Sequence, residues 1–366
     1  MKVFPLIFEP ILKPRIWGGR RLGTLLGKRL PDDGPIGESW ELADLPGGQS
    51  RVAGGPAQGK TLAELVHEWG EALTGRAPLS DDRFPLLLKF LDARETLSVQ
   101  VHPTETTVRQ RGPNARVKNE AWYVIDAEPD SIIYRGLLDG VTPNDLREAL
   151  THRAVERILR KLPARKGHAY YLPSGTVHAL GGGILVAEVQ TPSDTTYRLY
   201  DWDRVDPATG RPRDLQIDDG LASAAFAPVP PESERVEHVA SVWTSVTGLI
   251  RCPSFVIERV RMVEGVEQAI AYAEMVVWMV LEGRGRIVCD GLDQSFLFGA
   301  GDTVLIPAGL TGGRVITEVS SMWLEVSIPI ESSLSGFARP ARSELENAAE
   351  PKLVSLNVPP GRPRGP

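Results

Sequence analysis

Short apolar or alternating runs, separated by glycines and prolines, fill most of the chain. That pattern predicts many short strands joined by turns. FPLLLKFL, LSVQVH, EAWYVID, SIIYRG, HAYYLP, ILVAEVQ and TTYRLYDW are strand candidates in an early block, and SFVIERV, MVVWMVLEG, RGRIVCD and TVLIPAG in a later one. Helical spacing is rarer. Thr61 and Glu64 form a capping box ahead of an apolar stripe of Leu62, Leu65, Val66, Trp69 and Leu73, predicting a helix over about 61–75. A second helical stretch is expected over 142–162, with Thr142 as cap and Pro143 at the first helical position, continuing through AVERILRKL. A shorter one is expected from Asp218 to Phe226.

A weak internal repeat organises these elements. AYYLPSGTVHALGGG in the first block resembles GDTVLIPAGLTGGR in the second: each is an apolar strand, a Pro-Ser/Ala-Gly turn and a further strand. Such units characterise cupin-type jelly rolls, where the turn delivers a side chain to the barrel mouth. The first copy has His178 there, the second Leu310 or Thr311. The expected fold is mainly β, two cupin-type jelly-roll barrels with a small helical insertion. Residues 1–233 would form the metal-bearing barrel and 234–330 a second barrel without metal, joined through APVPPES at 227–233. Residues 331–366 read as an extended tail.

Composition narrows the classes. The 366 residues carry a net charge of −6 with no long run of either sign, which argues against nucleic acid as a partner. Two cysteines, Cys252 and Cys289, cannot build a disulfide framework and suggest a reducing compartment. No stretch approaches the roughly 20 apolar residues of a membrane-spanning helix. The first segment, broken by Pro5, Glu9 and Pro10, makes a poor signal peptide. A cytoplasmic monomer or homodimer with no membrane partner is expected.

The chemistry sits on strand ends. Gln100 and His102 share one strand face, Pro103 holds His102 extended, Glu120 opens EAWYVID, and His178 follows the Pro-Ser-Gly turn. Taken singly, His102 reads as a strand-end histidine, Glu120 as the surface partner of Lys118, and His178 as a turn residue. Together they offer two imidazoles, a carboxylate and an amide oxygen, a donor set for zinc that manganese, iron or cobalt would also accept. Lys89 interrupts an otherwise apolar run, and Arg198 shares a strand face with Asp194 and Thr196. With Lys118, these cations predict a strongly positive cavity suited to a phosphorylated or enediolate-like substrate.

LKPRIWGGRRLG, IGESWELA, GKTLAEL, FPLLLKFLDARETLSVQVHP, KNEAWYVID, GTVHALGGG and EVQTPSDTTYRLYDWDR together resemble type I phosphomannose isomerases, in order, over residues 7–205. The resemblance implies one zinc ion per chain held by Gln100, His102, Glu120 and His178, with another divalent metal as the alternative. It implies Ser98 and Lys118 as substrate-binding residues, Arg198 as a catalytic arginine, Asp194 as an acidic residue at the pocket and Lys89 as a proton carrier. The implied substrate is a phosphorylated hexose, mannose 6-phosphate interconverting with fructose 6-phosphate through a cis-enediol. Asn119 stands where many relatives have proline, and the long helical insertion of larger members is absent or shortened. The proton-transfer base should titrate near neutrality, which Lys89 would do if desolvated beside other cations; a glutamate or a metal-bound hydroxide is the alternative. The competing readings are a non-catalytic sugar-phosphate-binding cupin, a cupin oxygenase, and an isomerase of another phosphorylated sugar.

Overall fold

The strands sort into two pairs of facing sheets. A computed structural model of the protein describes residues 2–112, 115–207, 209–229 and 238–330. The chain divides into two units, Met1–Pro329 and Ile330–Pro366, and both barrels lie in the first. Most of the expected linker and all of the expected tail beyond Ile330 lie outside the described residues.

In the first barrel a six-stranded sheet runs, across its width, Ala169–Leu172, Glu120–Ala127, Ile184–Gln190, Leu87–Ala93, Ile11–Gly19 and Ile36–Leu42. The facing five-stranded sheet runs Leu159–Pro163, Ile132–Leu137, His178–Leu180, Val99–Val101 and Tyr197–Tyr200. Trp17, Trp122, Tyr170 and Val186 from the first sheet pack against Ile133 and Leu180 from the second in one buried cluster. Alternation along Val99–Val101 sends the two valines to the outer face, where Leu146 and Leu150 of the helix Pro143–Thr151 cover them. Gln100 is left pointing inward.

The second barrel repeats the plan with a seven-stranded sheet and a four-stranded one. Trp278 and Trp323 of the larger sheet meet Phe298 of the smaller edge-on, with ring centroids 6.1 and 6.4 Å apart. The fold is mainly β with few helices, as the turn spacing predicts. The weak sequence repeat is also a structural one. Ala169–Leu172 and His178–Leu180 lie in opposite sheets of the first barrel, and Thr303–Ile306 and Gly313–Thr317 in opposite sheets of the second. The register repeats as well: Glu188 faces Trp122 on one side and Lys89 on the other, while Glu325 faces Trp278 and Glu258.

The helix Leu62–Trp69 begins as predicted, with Thr61 Oγ1 accepting from the Glu64 N–H and Glu64 Oε2 accepting from the Thr61 N–H. It pauses at Gly70 and resumes as Glu71–Thr74. The second helix departs from expectation and ends at Thr151, with Arg153 at φ 54°. After a short 3₁₀ turn, Leu159–Pro163 becomes an edge strand against Ile132–Leu137. Pro163 favours an extended backbone at Leu162, and pairing to an open sheet edge overrides the local helical pattern. The short helix Ile217–Ser223 lies where one was expected, whereas Glu105–Arg111, with Thr107 as its buried residue, carries no apolar stripe to announce it.

Two contacts tie the halves together near the chain's start. Leu6–Ile7 pairs antiparallel with Leu305 and Val304, so these N-terminal residues belong to the second barrel's sheet. The Lys28 ammonium donates to Glu41 Oε2 at 2.8 Å and to the Gly301 carbonyl at 2.7 Å, all nearly buried. Gly301 has φ 88°, and a Cβ there would sit 2.2 Å from the Leu26 carbonyl oxygen. Removing Lys28 would leave the Glu41 carboxylate buried without its cation. We expect Lys28→Ala to lower unfolding stability by about 3–5 kcal/mol in urea titration; a loss under about 1 kcal/mol would show that the pair does not hold the halves together.

Candidate active site and metal centre

Strand register builds the site from two rows of inward-facing side chains. On the five-stranded sheet Gln100 pairs across with His178 on one side and Arg198 on the other. On the six-stranded sheet Gln190 pairs with Glu120, and one step along Glu188 lies between Trp122 and Lys89. His102 follows directly after Val101, and its carbonyl accepts from the Gly175 N–H at 3.1 Å. Gly175 has φ 86° in the turn that precedes His178, a conformation that favours glycine. The two ligand-bearing loops are thereby fastened to each other.

His102, Glu120 and His178 are all essentially buried and bring one donor atom each within 4.8 Å of the others. Glu120 Oε2 lies 2.9 Å from His102 Nε2 and 3.3 Å from His178 Nε2. Yet His102 Nε2 and Glu120 Oε2 make no hydrogen bond. Buried polar atoms this close without a bond are lone pairs aimed at a shared point. Their spacing is that of a tetrahedron's edges, about 3.3 Å for zinc bonds of 2.0–2.1 Å.

Protonation agrees with that reading. The Thr176 carbonyl can only accept, so His178 Nδ1, 2.8 Å away, carries the proton and leaves Nε2 free. Burial pushes His102 down to about 3, against the pull of Glu120, so its ring is neutral. Burial works against ionising Glu120, but the Lys118 ammonium beside it holds it well below the usual carboxylate range. Lys118 Nζ is 2.6 Å from Glu120 Oε1, the oxygen turned away from the imidazoles. Gln100 presents its amide nitrogen to His178 Nε2 at 3.2 Å, so a half-turn of the amide would bring Oε1 to the same point.

The family model for the phosphomannose isomerase type I catalytic domain matches residues 6–134. Mannose-6-phosphate isomerase ManA of Bacillus subtilis (strain 168) is 37% identical over 310 residues, covering 85% of this chain and 95% of that protein. The chain belongs to the type I phosphomannose isomerase family. The mannose-6-phosphate isomerase of Streptococcus mutans is 34% identical over 83% of this chain and 92% of its own length. The crystal structure of the Bacillus subtilis mannose 6-phosphate isomerase matches with a TM-score of 0.80 at 30% identity, covering 88% of this chain and 99% of that one. A mannose 6-phosphate isomerase bound with zinc and yttrium shares the fold, with a TM-score of 0.66 at 17% identity over 89% of this chain and 100% of that one.

In this phosphomannose isomerase a cavity of about 470 Å³ opens beside the three donor atoms. It gathers Lys89, Ser98, Gln100, Lys118, Glu120, Asp194 and Arg198, while His102 and His178 lie outside its lining. The expectation is a strongly positive cavity once a metal joins Lys89, Lys118 and Arg198; the protein's own side chains balance in it. Five cations (Arg15, Lys89, Lys118, Arg198, Arg213) meet five carboxylates (Glu38, Glu120, Glu188, Asp194, Asp206) in its wall. Arg15 pairs with Glu38 at 2.7 Å, Lys89 with Glu188 at 3.0 Å and Arg213 with Asp201 at 2.5 Å. Among the described residues Arg198 alone of these cations makes no ion pair; it donates to the Asp214 carbonyl at 2.8 Å. Asp194 is exposed and forms no salt bridge with Arg198.

Lys89 also differs from expectation. Burial pulls its ammonium down, but Glu188, Glu38, Asp194 and Glu120 outweigh that and raise it above the ordinary lysine value. Nζ donates to Gln190 Oε1 at 2.7 Å and lies 5.2 Å above the Trp40 ring. Its carboxylate neighbours favour the ammonium form, the opposite of the lowered lysine expected. Glu188 was missing from the sequence reading. Its signal was a buried-looking run, ILVAEVQ, carrying one carboxylate that pairs across to the equally isolated Lys89. Glu188 Oε2 accepts from Trp122 Nε1 at 2.8 Å, and Oε1 lies 3.0 Å from the Lys89 ammonium.

Proposed function

We propose that this enzyme interconverts mannose 6-phosphate and fructose 6-phosphate through a cis-enediol, with a divalent metal, zinc in the first instance, held by Gln100, His102, Glu120 and His178. The observation that carries this is the convergence of His102 Nε2, Glu120 Oε2 and His178 Nε2, the first two without a hydrogen bond, beside a cavity with one unpaired guanidinium. The names of the relatives support the same substrate. When bound, the metal would supply a Lewis-acid charge that favours an anionic oxygen on the sugar.

The remaining work falls to the chain's own residues. Glu188 Oε1, buried beside the Lys89 ammonium, accepts the C2 proton of the open-chain aldose. The electron pair released forms the C1–C2 double bond and leaves O1 an oxyanion, which takes the neighbouring O2 hydroxyl proton across the cis-enediolate. The same carboxyl then returns its proton to C1 as the O2 oxyanion closes to the carbonyl, and the ketose results. Lys89 Nζ, 3.0 Å from Glu188 Oε1, holds that carboxylate in place. Arg198 places a permanent charge toward the developing enediolate and needs no reorganisation to do so. Ser98 and Lys118 line the side of the cavity nearest the donor atoms and would orient the sugar.

The direct test follows fructose 6-phosphate formation from mannose 6-phosphate in a coupled assay, with chelator and then with added Zn²⁺. Turnover lost to chelator and restored by Zn²⁺ is expected; Zn²⁺ binding with no turnover would sink the proposal. Arg198→Ala should keep its metal and lose about 10²–10³-fold in kcat, so near-normal turnover would remove its electrostatic role. Glu188→Gln keeps the shape but not the acceptor, and kcat should drop about 10²–10⁴-fold. Activity within a factor of a few of wild type would place the base elsewhere.

A further inference from the structure

We infer that Asn119 is a positioning residue through which the second barrel sets the geometry of the metal centre, an inference that rests on the metal-binding reading above. Lys118 and Glu120 line the active-site cavity, whereas Asn119 between them lines a separate groove of about 880 Å³ on the other side of the strand.

Every polar group of Asn119 is engaged. Its N–H donates to Thr191 Oγ1 at 3.1 Å, and its carbonyl accepts from the Thr191 N–H at 3.1 Å. Its side-chain Oδ1 accepts from the Ser174 N–H at 3.0 Å, which fixes the amide's orientation because a backbone N–H can only donate. The amide nitrogen then points to Ser254 Oγ, 3.3 Å away in the turn that leads into the second barrel's strand Val256–Met262.

One planar amide therefore joins three segments. The first is the strand entry whose next residue is Glu120. The second is the Pro-Ser-Gly turn, where Thr176 fixes the His178 tautomer. The third belongs to the other barrel. Two of the three carry donor atoms that must stay within a few tenths of an ångström of productive geometry. Asn119 acts on the metal by holding those two segments at a set spacing, and Ser254 holds Asn119.

Zn²⁺ dissociation, measured on the full-length chain by competition with a chromophoric chelator, tests this without reference to turnover. His102→Ala serves as the control without a site. Asn119→Ala should weaken Zn²⁺ binding about 10–100-fold, the range for groups that orient ligands, and lower kcat while leaving KM nearly unchanged. Ser254→Ala should weaken it in the same direction by less, and the double variant should bind no more weakly than Asn119→Ala alone. Zn²⁺ affinity equal to wild type in Asn119→Ala, even with a lowered melting temperature, would overturn the inference. So would Ser254→Ala at wild-type affinity, a variant that also carries the test if Asn119→Ala does not fold. Wild-type protein that binds no Zn²⁺ would overturn the metal-binding reading, and this inference with it.

Discussion

The site is organised by one buried negative charge, the carboxylate of Glu120. Desolvation alone would protonate it, and a neutral carboxyl would neither hold Lys118 nor face two imidazoles as a donor. Its two oxygens divide the work. Oε1 is taken by Lys118 and Oε2 is left to His102 and His178. Burial keeps the His102 ring neutral, and the Thr176 carbonyl takes the His178 Nδ1 proton so that Nε2 faces the same point. Nearly every other feature of the centre serves to keep that charge dry, ionised and turned toward one point.

A second charge arrangement sits beside the first and is built differently. Lys89 and Glu188 face each other across adjacent strands, each buried and each backed by an aromatic ring, Trp40 and Trp122. In the second barrel the same register brings Glu258 opposite Glu325, and burial raises Glu325 with Glu258 adding to the effect. Val276 stands where Glu120 does, and Leu310 and Thr311 follow the turn where His178 would be. One sheet plan thus carries an ion pair in one copy and two acids in the other. The chemistry depends on a few inward positions and not on the architecture around them.

How much of this was legible in the sequence varies with the range of the interaction. Period-two alternation was enough to send Gln100 inward and the flanking valines outward, and capping boxes marked two helix starts. The Pro-Ser-Gly and Pro-Ala-Gly turns announced the duplication. What failed was non-local. No spacing along the chain shows that Lys89 lies against Glu188, and so its charge state was misread as that of a lysine crowded by cations. The positive ring around the cavity was equally a product of counting side chains without their partners. Leu159–Pro163 was misassigned because its local pattern is helical while a free sheet edge claims it. Asn119 stood out only as a departure from the proline of many relatives, and nothing along the chain showed the three distant segments that its amide joins.

The pairing of Leu6 and Ile7 with Leu305 and Val304 bears on how the protein is made. During synthesis these early residues leave the ribosome long before their strand partners exist, so the second barrel's sheet is completed only when nearly all of the described chain has emerged. The metal-bearing barrel has all its own strands in place well before then. Completion of its sheets is thereby separable in time from completion of the second barrel's sheet.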